Sequence, residues 1–172
     1  MTKTREIEAW LWRYLFILAI GCSQGDHSPV KEAHPNLNCG AAEVAHAVGD
    51  AVVAGDARNL RPMLMTGASL AWLQRASDKS GDTSFDERVY AAAAKDVAAW
   101  AVLSKGGQVV DVQLGPTLHN QTMEGFARAT DVIDGSIVLV GRKGQTTRVR
   151  IQHLFLIDGC WRIANIGSPK EQ

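Results

Sequence analysis

Residues 146–167 read TTRVRIQHLFLIDGCWRIANIG, and this stretch decides the fold. Two apolar-rich runs, 146–157 and 160–167, are separated only by Asp158-Gly159. Both residues of an Asp-Gly pair tolerate positive φ, which a two-residue hairpin turn requires. The run to the left is rich in β-branched residues, as strands are. Similar turn signals stand upstream at Lys143-Gly144 and Asp134-Gly135. They predict strands over 108–115, 121–133, 136–143, 146–157 and 160–167. Three consecutive hairpins would join the last four into an antiparallel meander, with 108–115 at its edge.

Further outward the period changes. Gly106 and Gly107 close a predicted helix over 85–104, whose apolar stripe is Val89, Ala93, Val97, Trp100 and Leu103. Residues 77–84 read as a loop, and 68–76 fit either a helix or a strand. An earlier helix starts at Ala41, with Val44, Val48, Ala51 and Val52 on one face and Gly55 as its stop. Asp56 can cap a second short helix bearing Leu60, Met63 and Leu64, which Pro62 keeps short or kinked. Trp72, Trp100 and Trp161 are expected in the core. Helices first and sheet last predict an α+β fold with the helices packed on one sheet face.

The chain has 172 residues, with 18 basic and 18 acidic side chains and a formal net charge of zero. That balance gives no general draw toward polyanions. Arg142, Lys143, Arg148 and Arg150 cluster on one predicted hairpin, where they could meet an anionic group or line a solvated face. No aromatic residues interleave with them, so nucleic acid is not an expected partner.

Residues 1–21 differ from the rest. Lys3 and Arg5 precede an unbroken apolar run of only Tyr14 to Ile20, too short to cross a bilayer. A charged start, a short apolar middle and small residues before a cut describe an export signal. Residues 22–40 carry Gly25, Pro29 and Pro35 with little periodicity and read as a flexible tether. His27 and His34 lie there without the spacing of a metal site, and solvated histidines are the expectation. Residues 41–167 form the domain and 168–172 a tail.

Two resemblances follow from these residues. Leu18-Ala19-Ile20-Gly21-Cys22 resembles the lipobox of bacterial lipoproteins. It implies that Cys22 is acylated and becomes the mature N-terminus. Buried acyl chains at about 0.8 kcal/mol per methylene then anchor the protein in a lipid membrane without a spanning helix. Ser23 after Cys22 implies the outer membrane, facing the periplasm. Ala45–Leu64, with Ala-Gly-Asp at 54–56, and Leu154–Ile163 resemble NTF2-like domains, also called SnoaL-like or cystatin-like. That likeness implies helices packed on a strongly curved meander sheet, with a cone-shaped cavity. It implies no one activity, because the family includes isomerases, dehydratases and non-catalytic dimers. Trp161 on the last strand could serve a homodimer face of the kind common in that family.

The candidate chemistry is sparse. Strict alternation over 146–157 puts Thr147, Val149, Ile151, His153 and Phe155 on one face. His153 therefore interrupts an apolar face, as a general base or as a hydrogen-bonded core histidine. Asp131 and Asp111 lie inside predicted strands, and a carboxylate in an apolar cavity could exchange protons with substrate. Solvated strand-end aspartates are the alternative. Gly-rich phosphate loops, nucleophile elbows and zinc-spaced cysteines are absent from the sequence, so no metal or cofactor is expected. With Cys22 acylated, Cys39 and Cys160 remain as an even pair for an oxidising compartment, bridged or as two free thiols.

The expectation is a lipid-anchored, non-catalytic NTF2-like protein of the cell envelope that binds a protein partner or a small apolar ligand. The alternative is a small cavity enzyme of the isomerase or dehydratase type.

Overall fold

The computed structural model describes residues 39–74, 83–123 and 125–169. The expected leader, Cys22, most of the tether and the last tail residues lie outside them. Helix α1 spans Ala41–Ala54, a 3-10 segment Arg58–Met63, helix α2 Gly67–Gln74 and helix α3 Thr83–Ser104. Strands follow as β1 (Gln108–Gln113), β2 (Thr117–Gln121), β3 (Thr130–Arg142), β4 (Gln145–Ile157) and β5 (Cys160–Ile166). The fold is α+β, with helices followed by an open antiparallel five-stranded sheet. Its order is β1-β3-β4-β5, and β2 pairs with β3 as well.

The local signals at α1 act as expected. Val44, Val48 and Val52 are fully buried, and Gly55 stops the helix at φ 69°. Asp56 N then donates to Ala51 O at 2.9 Å, closing the last turn. A Cβ on Gly49 would stand 2.6 Å from Val109 and 2.7 Å from Val138, so glycine lets α1 lie close on the sheet. Asp56 Oδ1 accepts from Arg58 N at 3.0 Å, and Pro62 sits inside the 3-10 segment. Residues 67–74, ambiguous in sequence, are helical.

In α3, Ala93, Val97 and Trp100 are buried, but Leu103 is half exposed and Ser104 is fully buried in its place. Trp100 Nε1 donates to Gly167 O at 2.5 Å and ties α3 to the chain beyond β5. Trp72 and Trp161 are only half-buried.

The Asp134-Gly135 hairpin does not form. Both residues lie within the single strand β3, and the pairing of β3 with β4 runs unshifted from Val132↔Phe155 to Arg142↔Gln145. The segment expected to open that hairpin is shorter than 121–133, since β3 starts at Thr130. Gly135 has φ 76° and is used as a bend inside a strand. Positive φ can serve a turn or a bulge, and the sequence signal does not distinguish them.

The bend crosses the sheet. Ile133 and Val138 share one core cluster although they lie five positions apart, and so do Ile151 and Leu154 on β4, three positions apart. Both strands therefore invert their facing between these positions. On the neighbouring edge the bend falls at Gly115, between β1 and β2. A Cβ there would lie 1.8 Å from Asp134 O, so only glycine fits. On the other edge, β4 and β5 slip register between Ile151 and Leu154.

The core consequently has two parts. The larger joins α1, α3 and the inner sheet face through Val48, Val97, Trp100, Val149, Ile151 and Ile163. The smaller lies beyond the bend and contains Met65, Leu73, Phe126, Val132, Phe155 and Ile157. Leu64 bridges in parallel to Ile163, and Met65 N donates to Ile163 O at 3.0 Å. This covers part of the β5 edge, whereas β1 ends the sheet on the other side.

Cys39 and Cys160 are joined by a disulfide with Cα atoms 5.1 Å apart. The bridge ties the start of the domain to the last hairpin, and Trp161 N donates to Cys39 O at 3.0 Å beside it.

Candidate functional site

His153 sits at the bend of β4, and the inversion there changes its face. Val149 and Ile151 belong to the larger core, whereas Phe155 belongs to the smaller one. The expected common face of Thr147 through Phe155 is thus broken. The imidazole approaches Phe155 edge-on, with ring centroids 6.4 Å apart. Its side chain is 12% exposed. Burial pushes its pKa below the usual histidine range, the neighbouring Asp134 charge raises it in part, and the Arg150 charge lowers it further.

The carboxylate near His153 is Asp134, which sequence reading placed in a turn. Asp134 is directly opposite His153 in the β3–β4 pairing. Asp134 Oδ1 lies 3.3 Å from His153 Nδ1, an ion-pair distance when the imidazole is protonated. The available signal was the turn itself: once Asp134-Gly135 is taken as a bend within a strand, pairing brings residue 134 to residue 153. At the same bend Asn165 Nδ2 donates to Gln152 Oε1.

Asp131 and Asp111 are not brought to His153. Asp131 Oδ1 accepts from Asn120 N at 2.9 Å, and Oδ2 pairs with His119 Nδ1 at 3.0 Å. The Asn120 hydrogen bond, with that from His119, holds the Asp131 carboxyl below its ordinary pKa. It is therefore an ionised group at neutral pH, on a strand paired along both sides. It stabilises Asn120 in its positive-φ position, φ 51°, where β2 slips register. Asp111 is exposed on β1. Its Oδ1 accepts from Val112 N at 2.9 Å and its Oδ2 from Gln113 Nε2 at 3.1 Å. Those bonds follow the bulge between Val109 and Asp111. Asp111 bonds its own strand's backbone, as Asp beside irregular strand ends does, whereas Asp131 bonds across to β2.

Val149 and Ile151 are fully buried, Phe155 is 2% exposed, and Met123 packs against the smaller core. Arg128 Cζ lies 4.6 Å from the Trp72 ring centroid in a cation–π contact. Among the described residues, no group of three His, Cys, Asp or Glu side chains is placed to hold a metal. No helix among them is long and apolar enough to cross a membrane.

The edge strand β1 differs from this packed interior. Val110 is 59% exposed and Leu114, just beyond β1, is 42% exposed. Arg148 and Arg150 are exposed on β4, alternating with buried Val149 and Ile151.

Comparison with protein-family models, with curated proteins and with solved structures returns no match to this chain.

Proposed function

We propose that this protein is a lipoprotein acylated on Cys22, anchored in the outer membrane and facing the periplasm. Its domain, in this reading, is a non-catalytic NTF2-like module that binds a protein partner. The observation that carries the binding role is the β1 edge, an end strand with exposed Val110 followed by exposed Leu114. Such an edge offers backbone hydrogen-bonding groups and apolar side chains to another chain. The close burial of Val149, Ile151 and Phe155 supports a protein partner over a small apolar ligand. The Cys39–Cys160 bridge supports the address, because persistent disulfides belong to oxidising compartments. It accounts for two of the three cysteines and leaves Cys22 for the lipid.

Two measurements test this. An alkyne fatty acid fed to a bacterial host should label the full chain and not Cys22→Ser, and an unlabelled wild type refutes the anchor. A photo-crosslinker at Val110 should give an adduct of defined mass in intact envelopes, and one at Arg58 should not. Equal adducts at both sites, or none, refute binding through β1.

A second reading is a small isomerase or dehydratase using an Asp/His pair, and the 3.3 Å approach of Asp134 to His153 favours it. That pair would move a proton from an acidic carbon of substrate. Deuterium exchange into a β,γ-unsaturated ketone, lost in His153→Gln, would support it. Equal exchange with and without protein refutes it.

A further inference from the structure

At the end of the molecule where α3 passes into β1, the turn after α3 faces the β3–β4 hairpin. The pair Gln108↔Gly141 sets these two turns side by side. Between them lies an open cleft of about 570 Å³, lined by Lys105, Arg142, Lys143, Gln108, Gln145, Thr146 and backbone of four glycines.

Three features distinguish it. Its charged lining is cationic only, in a chain whose net charge is zero. Neither Lys105, Arg142 nor Lys143 is in an ion pair among the described residues, whereas Arg58 and Arg61 are each held by a carboxylate. The cations are also fixed at their bases. Lys143 and Gly144 occupy the turn at φ 48° and 77°, and Arg142 is paired to Gln145. The Lys105 stem runs beside Gly55, where a Cβ would meet its Cδ at 3.4 Å. The floor is bare for a reason of packing: a Cβ on Gly107 would lie 2.5 Å from Gly141 O.

We propose that this cleft binds a phosphate-bearing anion. A guanidinium offers a planar fork of donors to phosphate oxygens, and an ammonium adds a point charge. Three cations on two turns suit a multiply charged group with several oxygens better than a single carboxylate. Gln108, Gln145 and Thr146 supply further polar contacts on the same wall. Arg148 and Arg150 do not line the cleft, so the basic cluster seen in sequence divides into a cleft pair and an outer-face pair. The cleft meets β1 only at its first residue, Gln108, and its proposal rests neither on binding at Val110 nor on the acyl anchor.

The chemistry could come from a soluble phosphate or from a phospholipid headgroup. The experiment titrates inorganic pyrophosphate into full-length Cys22→Ser protein by calorimetry. The same protein is floated with vesicles of phosphatidylglycerol or of phosphatidylcholine. Arg142→Gln with Lys143→Asn removes two charges while leaving a residue that tolerates the turn's positive φ. Arg148→Gln removes one nearby charge outside the cleft. The expected result is one pyrophosphate per chain, weakened at least tenfold in the double variant and less than twofold in Arg148→Gln, at constant ionic strength. Flotation with phosphatidylglycerol alone, lost in the double variant, assigns the cleft to a headgroup. Pyrophosphate binding without flotation assigns it to a soluble phosphate. Neither binding nor flotation, or equal loss in Arg148→Gln and the double variant, overturns the proposal.

Discussion

Asp134 and His153 face each other across β3 and β4, 3.3 Å apart, at the line where the sheet inverts its two faces. The pair is a product of the bend. Without Gly135 at positive φ, regular alternation would carry His153 toward the helices with Ile151.

The burial of His153 predicts a pH-dependent stability. Its folded pKa is depressed, with desolvation the largest cause, so the unfolded chain takes up the proton first as pH falls through about 6.5. Between the unfolded and folded pKa values the unfolded state binds more protons, and acidification there favours unfolding. The stability contributed by neutral His153 is complete above the unfolded pKa and declines as pH falls below it. Urea midpoints measured from pH 7.5 to pH 5 at constant salt should decline, and the decline should be smaller in His153→Gln. An identical slope in both proteins would remove His153 as its source.

The bend predicts unequal costs for two glycine substitutions. Gly115→Ala drives a methyl into Asp134 O, 1.8 Å from the Cβ position, and should cost about 3 kcal/mol through forced backbone movement. Gly135→Ala meets open space and suffers only its φ of 76°, a cost of about 1–2 kcal/mol. Chemical denaturation ranks them, and a milder effect at Gly115 would contradict the close approach.

The Cys39–Cys160 bridge spans 121 residues of sequence. Loop closure of that length restricts the unfolded chain by about 4–5 kcal/mol in the entropy model, with measured values often nearer 2–4. Dithiothreitol should therefore lower the thermal midpoint of the wild type and leave that of Cys39→Ser with Cys160→Ser unchanged. A wild-type midpoint indifferent to reductant would show that the bridge does not stabilise the domain.

Trp100 combines packing with a hydrogen bond to Gly167 O at 2.5 Å. Trp100→Phe keeps most of the ring volume and loses the donor, at a cost of about 1–3 kcal/mol if the acceptor stays buried. Trp100→Ala also leaves a cavity and should cost about 3–5 kcal/mol. Guanidinium midpoints separate the two, and equal losses would mean that the indole N–H contributes nothing.

Much of the architecture was legible because its causes are local. The stop at Gly55, the short element around Pro62 and the Lys143-Gly144 and Asp158-Gly159 turns depend on residues a few positions apart. Strand β2 was missed because Thr117–Gln121 carries one apolar residue, Leu118, and forms by pairing with β3. Leu103 was misplaced because a helix stripe tells which side is apolar, not where its partner ends.

The sequence by itself determined the α+β order, the helix stops, two of the hairpins and the sparse catalytic vocabulary. It also determined the export-type pattern around Cys22, which lies outside the described residues. The tertiary structure decided how Gly135 would use its freedom, and with it the partner of His153. The reason is physical. A glycine that permits positive φ lowers the cost of a turn and of a bend alike, and only pairing with β1, β2 and β4 selects between them. The same holds for charge: composition fixes the count of cations, while the meeting of two turns decides that Lys105, Arg142 and Lys143 share one cleft.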